Sequence, residues 1–446
     1  MNIKPVVLVT YVEAGLGHIV SAQAISDALK KKYADKLEIR DKYVMRDSGN
    51  DLLIKQEQFM IKSVQNYAHA GSGFFQYFAM FLFGPQNTLN FVFNTVYKKK
   101  AEALVDVYAK ENPDVIVTTH FFTHYCALKY QRERNGKVKV VSYCPDNNVH
   151  GWWDKRADMI YTNNPLATAQ AYKLGFKSGC VLEAFYPTRE AVTKTDGTKE
   201  FYRQKLGIPL DKFAVVVADG VYAQANAQKV CEELIKTDLP ITICLLAGKN
   251  DEIVKHFDKL RDKIKPNVTL MTFGFMPNAP ELYRACDLFI TKAGPNAILD
   301  SIMMETPIIV DFCATPIEVK TKNLFVNRFN CGLYITSANK IRKQTEYFIQ
   351  HPNELDKFKK SLKFFDKNKN GADIIADDIM SVACSYEDHQ RDIYAIEDGI
   401  VDKYCQVKFN NADKQKNASN KFKAKLRKNK NLKKYAKIIE TLYNKD

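Results

Sequence analysis

No two cysteines fall at a Cys-x-x-Cys spacing, although ten are present, at positions 126, 144, 180, 231, 244, 286, 313, 331, 384 and 405. Most sit inside apolar runs, where a thiol acts as a small hydrophobe, so a reducing compartment and no structural zinc are expected. No run of 18 apolar residues occurs either; the best candidate, Phe74 to Phe83, is about half the length a bilayer-spanning helix needs and contains Gln76. The opening Met-Asn-Ile-Lys-Pro-Val-Val-Leu-Val-Thr has no charged n-region, long apolar h-region or small-residue cleavage site, so secretion is not expected. These absences leave a chain that does not cross a membrane but can lie on one.

What is present is material for real cores and an excess of positive charge. Hydrophobic residues make up 46% of the 446, which excludes wholesale disorder. Lysine and arginine number 66 against 51 acids, a net charge of +15, so an anionic partner is expected: nucleic acid, a phosphorylated substrate or an acidic membrane surface. Lys403 to Asp446 carry fourteen of those cations against Asp413, Glu440 and Asp446, which is +11 of the total. Apolar residues there (Phe422, Leu426, Leu432, Tyr435, Ala436, Ile439, Leu442) recur at helical spacing, so the tail reads as a basic amphipathic helix. At an anionic bilayer each such cation contributes on the order of 1 kcal/mol, enough to hold a cytoplasmic protein peripherally on the inner face of the cell membrane. A solvated tail is the alternative. Nucleic acid is disfavoured, because the charge is confined to one terminus and aromatic interleaving is sparse.

Along the chain, short apolar runs alternate with helical patterns, the mark of βα units and parallel sheets. Val6 to Val12, Val115 to Thr119, Val138 to Tyr143 and Met159 to Tyr161 form one set; Phe213 to Ala218, Ile241 to Leu246, Val268 to Phe273, Leu288 to Thr291 and Pro307 to Val310 form another. The expected architecture is α/β: two Rossmann-like doubly wound domains facing a cleft. The first spans 1–186, a polar linker 187–211, the second 212–388 and the basic tail 389–446. Tyr67 to Tyr97 breaks the rhythm with ten aromatics in 31 positions, either a core helix or an amphipathic lid that enters a lipid surface.

Candidate chemistry lies at strand-to-helix turns. Gly15 and Gly17 flank Leu16 after the first strand and His18 follows, a turn where backbone approaches a ligand closely. His120 and His150 also stand near strand ends. In the second half, Thr291, Lys292, Ala293 and Gly294 lead into Pro295, which fits the first position of a helix whose free amides and positive dipole end would face a diphosphate. Asp300 lies further along that helix, within reach of a ribose.

The order of these motifs (Gly-Leu-Gly-His, Asp-Asn-Asn…His-Gly-Trp-Trp, then Gly-Phe-Met-Pro-Asn…Ala-Cys-Asp-Leu-Phe-Ile-Thr-Lys-Ala-Gly-Pro) resembles the monogalactosyldiacylglycerol synthase and processive diacylglycerol glucosyltransferase family over roughly residues 5 to 385. The resemblance implies a GT-B enzyme that transfers a hexose, with inversion, from UDP-glucose or UDP-galactose to diacylglycerol. It implies the base or transition-state partner at His18, acceptor-side groups at Gly15, Gly17, His120 and His150, and a membrane-docking role for the aromatic segment. It also implies a donor site in which Phe275 flanks the uracil, Thr291 to Pro295 hold the diphosphate, Asp300 stands at the ribose, and Glu318 lies near the hexose. Gly220 stands in the turn after the second half's first strand, where the family's glycine-rich turn is replaced by Ala-Asp-Gly-Val-Tyr. Gly-Pro-Asn-Ala replaces the usual Gly-Pro-Gly-Thr, and Asp300 a glutamate one methylene longer. No Asp-x-Asp occurs, so neither a metal nor another cofactor is expected. A polyprenyl-linked or other lipid acceptor, and a non-catalytic nucleotide- or membrane-binding scaffold, remain as alternatives.

Overall fold

Unbroken apolar runs form the centre of each sheet, because parallel strands are covered on both faces and leave few side chains in water. The computed structural model describes residues 4–13, 16–66, 92–134, 137–177, 179–220, 225–313, 315–363, 365 and 369–384. Gly15, most of the aromatic segment and the whole basic tail therefore lie outside the described residues. Val6–Tyr11 (β1), Glu38–Tyr43 (β2), Val115–Thr118 (β3), Lys139–Tyr143 (β4), Met159–Thr162 (β5) and Val181–Glu183 (β6) make one parallel sheet, ordered β2-β1-β3-β4-β5-β6. Phe213–Ala218 (β7), Ile241–Gly248 (β8), Val268–Gly274 (β9), Leu288–Thr291 (β10), Ile308–Val310 (β11) and Gly332–Tyr334 (β12) make a second, ordered β12-β11-β10-β7-β8-β9.

Side chains alternate between the two faces of each strand. Leu8, Ile116, Val140 and Ile160 pack with the helices Lys98–Glu111 and Phe121–Glu133, whereas Val7, Val9, Val115, Val117 and Val141 pack with Leu16–Tyr33 and Gly371–Cys384. The second sheet repeats this, with Val216, Phe289 and Val310 on one side and Val215, Val217, Ile243 and Ile290 on the other. Of the nine described cysteines, all with free thiols, six are buried. Phe93, at the described end of the aromatic segment, is core: it packs on Phe122 and Tyr125 at 5.4 and 4.6 Å.

Two stretches differ from the linear reading. The segment expected as a polar linker is folded into helices, Glu190–Thr193 and Lys199–Leu206. Thr198 caps the second by accepting from the Phe201 amide, and buried Arg203 ties it to the Ala285 carbonyl and to Asp287 at 2.8 and 2.6 Å. The helix Gly371–Cys384, read from its position as part of the second domain, packs on Leu16–Tyr33 in the first; there Tyr33 donates to Asp377 at 2.6 Å. The chain thus crosses between lobes twice, side by side, with the Gly371 amide on the Tyr186 carbonyl and Asn370 bonded to both backbone groups of Thr188. A Cβ on Gly371 would sit 1.6 Å from the Phe185 carbonyl oxygen, so backbone must move to admit one. Gly371→Ala is expected to destabilise the fold by about 1–3 kcal/mol, read as a lowered urea midpoint; an unchanged midpoint would show that the crossing yields freely.

Candidate active site

In doubly wound sheets a ligand crevice opens at the carboxyl ends of the strands, where successive connections leave in opposite directions. That point lies between β1 and β3 in the first sheet and between β7 and β10 in the second. Every described candidate except Asp300, on the helix beyond, comes from such an edge: His18 follows β1, His120 follows β3, His150 follows β4, Gly220 follows β7, Phe275 follows β9, Thr291 to Pro295 end or follow β10, and Glu318 follows β11.

The helix Leu16–Tyr33 puts His18 in its first turn. His18 Nδ1 lies 2.7 Å from the Thr119 carbonyl, and Thr119 Oγ1 donates to the His18 carbonyl at 2.8 Å. A carbonyl only accepts, so Nδ1 carries the proton and Nε2 keeps its lone pair. Burial holds the imidazole below the usual histidine range; Asp146 and the Thr119 carbonyl pull the other way and His150 adds to the fall. His120 packs edge-on against His18 with centroids 4.8 Å apart. Its Nδ1 accepts from the Phe122 amide, capping Phe121–Glu133, and burial, His18 and His150 push it well below the ordinary range. His150 accepts from the Trp152 amide through Nδ1 and pairs through Nε2 with Asp146 at 3.3 Å. Asp146 therefore stands between two of the three histidines.

Opposite, Gly294 precedes the helix Pro295–Met303, with Pro295 at its first position and no side chain capping it. Lys292 Nζ lies 3.0 Å from Glu318 Oε1, and its backbone amide donates to Asp219 Oδ1 at 3.2 Å. Glu318 is 5% exposed and also closes a capping box with Thr315 at the start of Pro316–Lys322. Lys292 Cε would lie 3.4 Å from a Cβ on Gly220, which places the β7 turn against the diphosphate candidates. Asp311, at the end of β11, accepts from Asn226 and is raised to about 6, chiefly by burial; Asp219 is held well above the carboxylate range by burial and by Asp311. Phe275 stands half-exposed on the rim with Lys249 Nζ 5.8 Å from its ring centre.

The two halves touch at these groups. Asn296, second in its helix, donates through Nδ2 to the Gly17 carbonyl at 3.3 Å, one residue from His18. Lys320 bonds Asn148 at 2.8 Å and Asn147 bonds Thr321 at 3.4 Å. A separate depression of about 480 Å³, lined by Thr198, Lys199, Arg284, Asp287, Thr306 and Lys359, opens at the amino ends of β10 and β11, away from this chemistry.

Residues 18–181 match the monogalactosyldiacylglycerol (MGDG) synthase family, and residues 221–316 match the glycosyltransferase family 28 C-terminal domain. Over residues 18–181 the chain is similar to the MGDG synthases. The processive diacylglycerol beta-glucosyltransferase of Bacillus licheniformis is 20% identical to it over 382 residues, 85% of this chain and 96% of that protein. Monogalactosyldiacylglycerol synthase 3 of Arabidopsis thaliana is 25% identical over 395 residues, 83% of this chain and 80% of that one. A UDP-glucosyltransferase structure from Polygonum tinctorium superposes with a TM-score of 0.55 at 10% identity, covering 86% of this chain and 99% of the other. The two facing sheets are the GT-B fold.

Asp300, expected at the ribose, is 4% exposed, and Arg189 bonds one oxygen of its carboxylate at 2.7 Å while also donating to the Pro277 carbonyl. The short side chain keeps the carboxylate near its helix, where an arginine from the interlobe segment reaches it. Burial raises the Asp300 carboxyl, and Arg189 opposes that shift. Arg189, Asp146, Asp219, Asp311 and Asn296 stand among the candidate groups although the sequence reading did not single them out. Asp146, Asp219 and Asn296 lie within motifs the sequence displays, whereas Arg189 and Asp311 come in through contacts distant in sequence.

Proposed function

We propose that the protein is an inverting glycosyltransferase that moves a hexose from UDP-glucose or UDP-galactose to the free hydroxyl of a membrane diacylglycerol. What carries this reading is the contact of the Pro295 helix start with the turn bearing His18, which sets an anion-binding helix end opposite a neutral imidazole. The acceptor hydroxyl gives its proton to His18 Nε2 as its oxygen bonds the anomeric carbon; the bond from that carbon to the phosphate oxygen breaks, and UDP leaves with the electron pair. A single displacement inverts the centre. Lys292 and the helix amides stabilise the charge that grows on the leaving diphosphate. In this scheme Glu318 serves the hexose hydroxyls and Phe275 the uracil, and no metal takes part. The relatives named for diacylglycerol products support the acceptor, and the cationic tail supports docking on an anionic inner leaflet.

Incubation with labelled UDP-glucose and UDP-galactose plus diacylglycerol vesicles is expected to give labelled lipid from at least one donor. No product from either, together with no stabilisation of the fold by UDP, would leave a non-catalytic scaffold; a ligand at 100 times its dissociation constant should add about 2.7 kcal/mol. UDP affinity is expected to weaken as pH rises through about 6, because Asp311 becomes charged close to Lys292 and the phosphates. Titration calorimetry on either side of that pH checks it. Asp311→Asn should remove that part of the dependence, and an identical profile in the variant would take Asp311 out of the site.

A further inference from the structure

Asn296 stands where the two lobes meet, and its side chain has the chemistry of a fastener. Its Nδ2 donates to a carbonyl 279 positions away, on Gly17, at 3.3 Å. Its Oδ1 is shielded from solvent with no hydrogen-bond partner among the described residues, so the amide gains nothing on its own helix from that oxygen. A Cβ added at Gly17 would lie 3.6–3.8 Å from the amide atoms, so the Asn296 side chain sits directly over Gly17. On the far side of Gly17, His18 is bonded to Thr119 through both its ring and its carbonyl. A continuous path of contacts therefore runs from the Pro295 helix through Asn296, Gly17 and His18 to the end of β3.

We propose that Asn296 is a positioning residue: it fixes the distance between the helix end that receives the diphosphate and the imidazole that takes the acceptor proton. This rests on the glycosyl-transfer reading above. Glycine here would leave the helix end in place but remove the tie. The amide is uncharged, so it donates to Gly17 without setting a negative group beside the phosphates, as aspartate would. Losing the tie widens the gap at the reacting centre while donor contacts to Lys292 and the helix amides persist. Misplacement on the order of 1 Å costs about a hundredfold in rate, whereas ground-state binding of donor is little affected.

The test uses the full chain, UDP-hexose and diacylglycerol vesicles. Asn296→Gly and Asn296→Leu, the second keeping bulk without a donor group, are compared for lipid transfer, for release of free hexose into water, and for UDP affinity. Expected for both is a kcat for lipid transfer lower by roughly tenfold to a hundredfold, a UDP Kd within about twofold, and a larger share of donor lost to hydrolysis. Unchanged kcat in both variants overturns the positioning role, as does a loss of UDP affinity matching the loss of turnover, which would make Asn296 a plain donor contact. Failure of the unaltered protein to transfer hexose at all sinks the functional reading instead, and is seen before any variant is assayed.

Discussion

Replacing His18 with alanine is expected to lower lipid glycosylation by roughly a hundredfold to ten-thousandfold while leaving UDP affinity within about twofold. The imidazole is a fit base because two features agree. Its Nδ1 proton is committed to the Thr119 carbonyl, which fixes the tautomer, and burial keeps the ring neutral so that Nε2 can accept. His120 provides the control. Its Nδ1 is already accepting from the Phe122 amide, so His120→Ala removes a helix cap, costing about 1 kcal/mol of stability, without removing the base. The pH–rate profile distinguishes the two. The acid limb, set by His18 losing its lone pair to a proton as pH falls, should vanish with residual activity in His18→Ala and persist in His120→Ala. Retained turnover in His18→Ala would move the base elsewhere, and His150, paired with Asp146, would be next to try.

Lys292→Met is expected to damage both stability and turnover, for separable reasons. Lys292 and Glu318 are both mostly buried, so taking away the cation removes the charge that pairs with a buried carboxylate; breaking such a pair typically costs about 3–5 kcal/mol. Under the proposed function it also removes the cation that stabilises the leaving diphosphate, worth on the order of a hundredfold to a thousandfold in kcat. The double variant Lys292→Met/Glu318→Gln should regain most of the lost stability, since neither side chain then carries charge, and none of the lost turnover. Chemical denaturation and donor kinetics on the three proteins read the two effects independently. A double variant that recovers activity would mean that Lys292 serves only to neutralise Glu318.

The strands easiest to read in the sequence are those buried on both faces. β1, β3, β7 and β10 are continuous apolar runs because helices cover them on either side. β2, Glu-Ile-Arg-Asp-Lys-Tyr, is an edge strand with no fully buried residue, and β6 and β12 are three-residue edges; none leaves a pattern that stands out from loop. The same division holds in the site. The glycine turn before His18 and the Thr-Lys-Ala-Gly-Pro turn are local, so their chemistry can be read from adjacent residues. The Arg189–Asp300 pair joins positions 111 apart and the Asn296–Gly17 bond positions 279 apart, and no periodicity encodes either. That is why the sequence places Asp300 on its helix but does not show the arginine that reaches it from a stretch that reads as linker.

The paired passage of the chain between its lobes, at Tyr186–Thr188 and again at Asn370–Gly371, bears on how the cleft can open. A lone covalent bridge would act as a swivel, free to turn in any direction. Two passages laced together by backbone and asparagine bonds act as a door hinge with a single pin. A swing of one lobe about that pin would be confined to one arc, whose closed end is the contact of the Pro295 helix with Gly17.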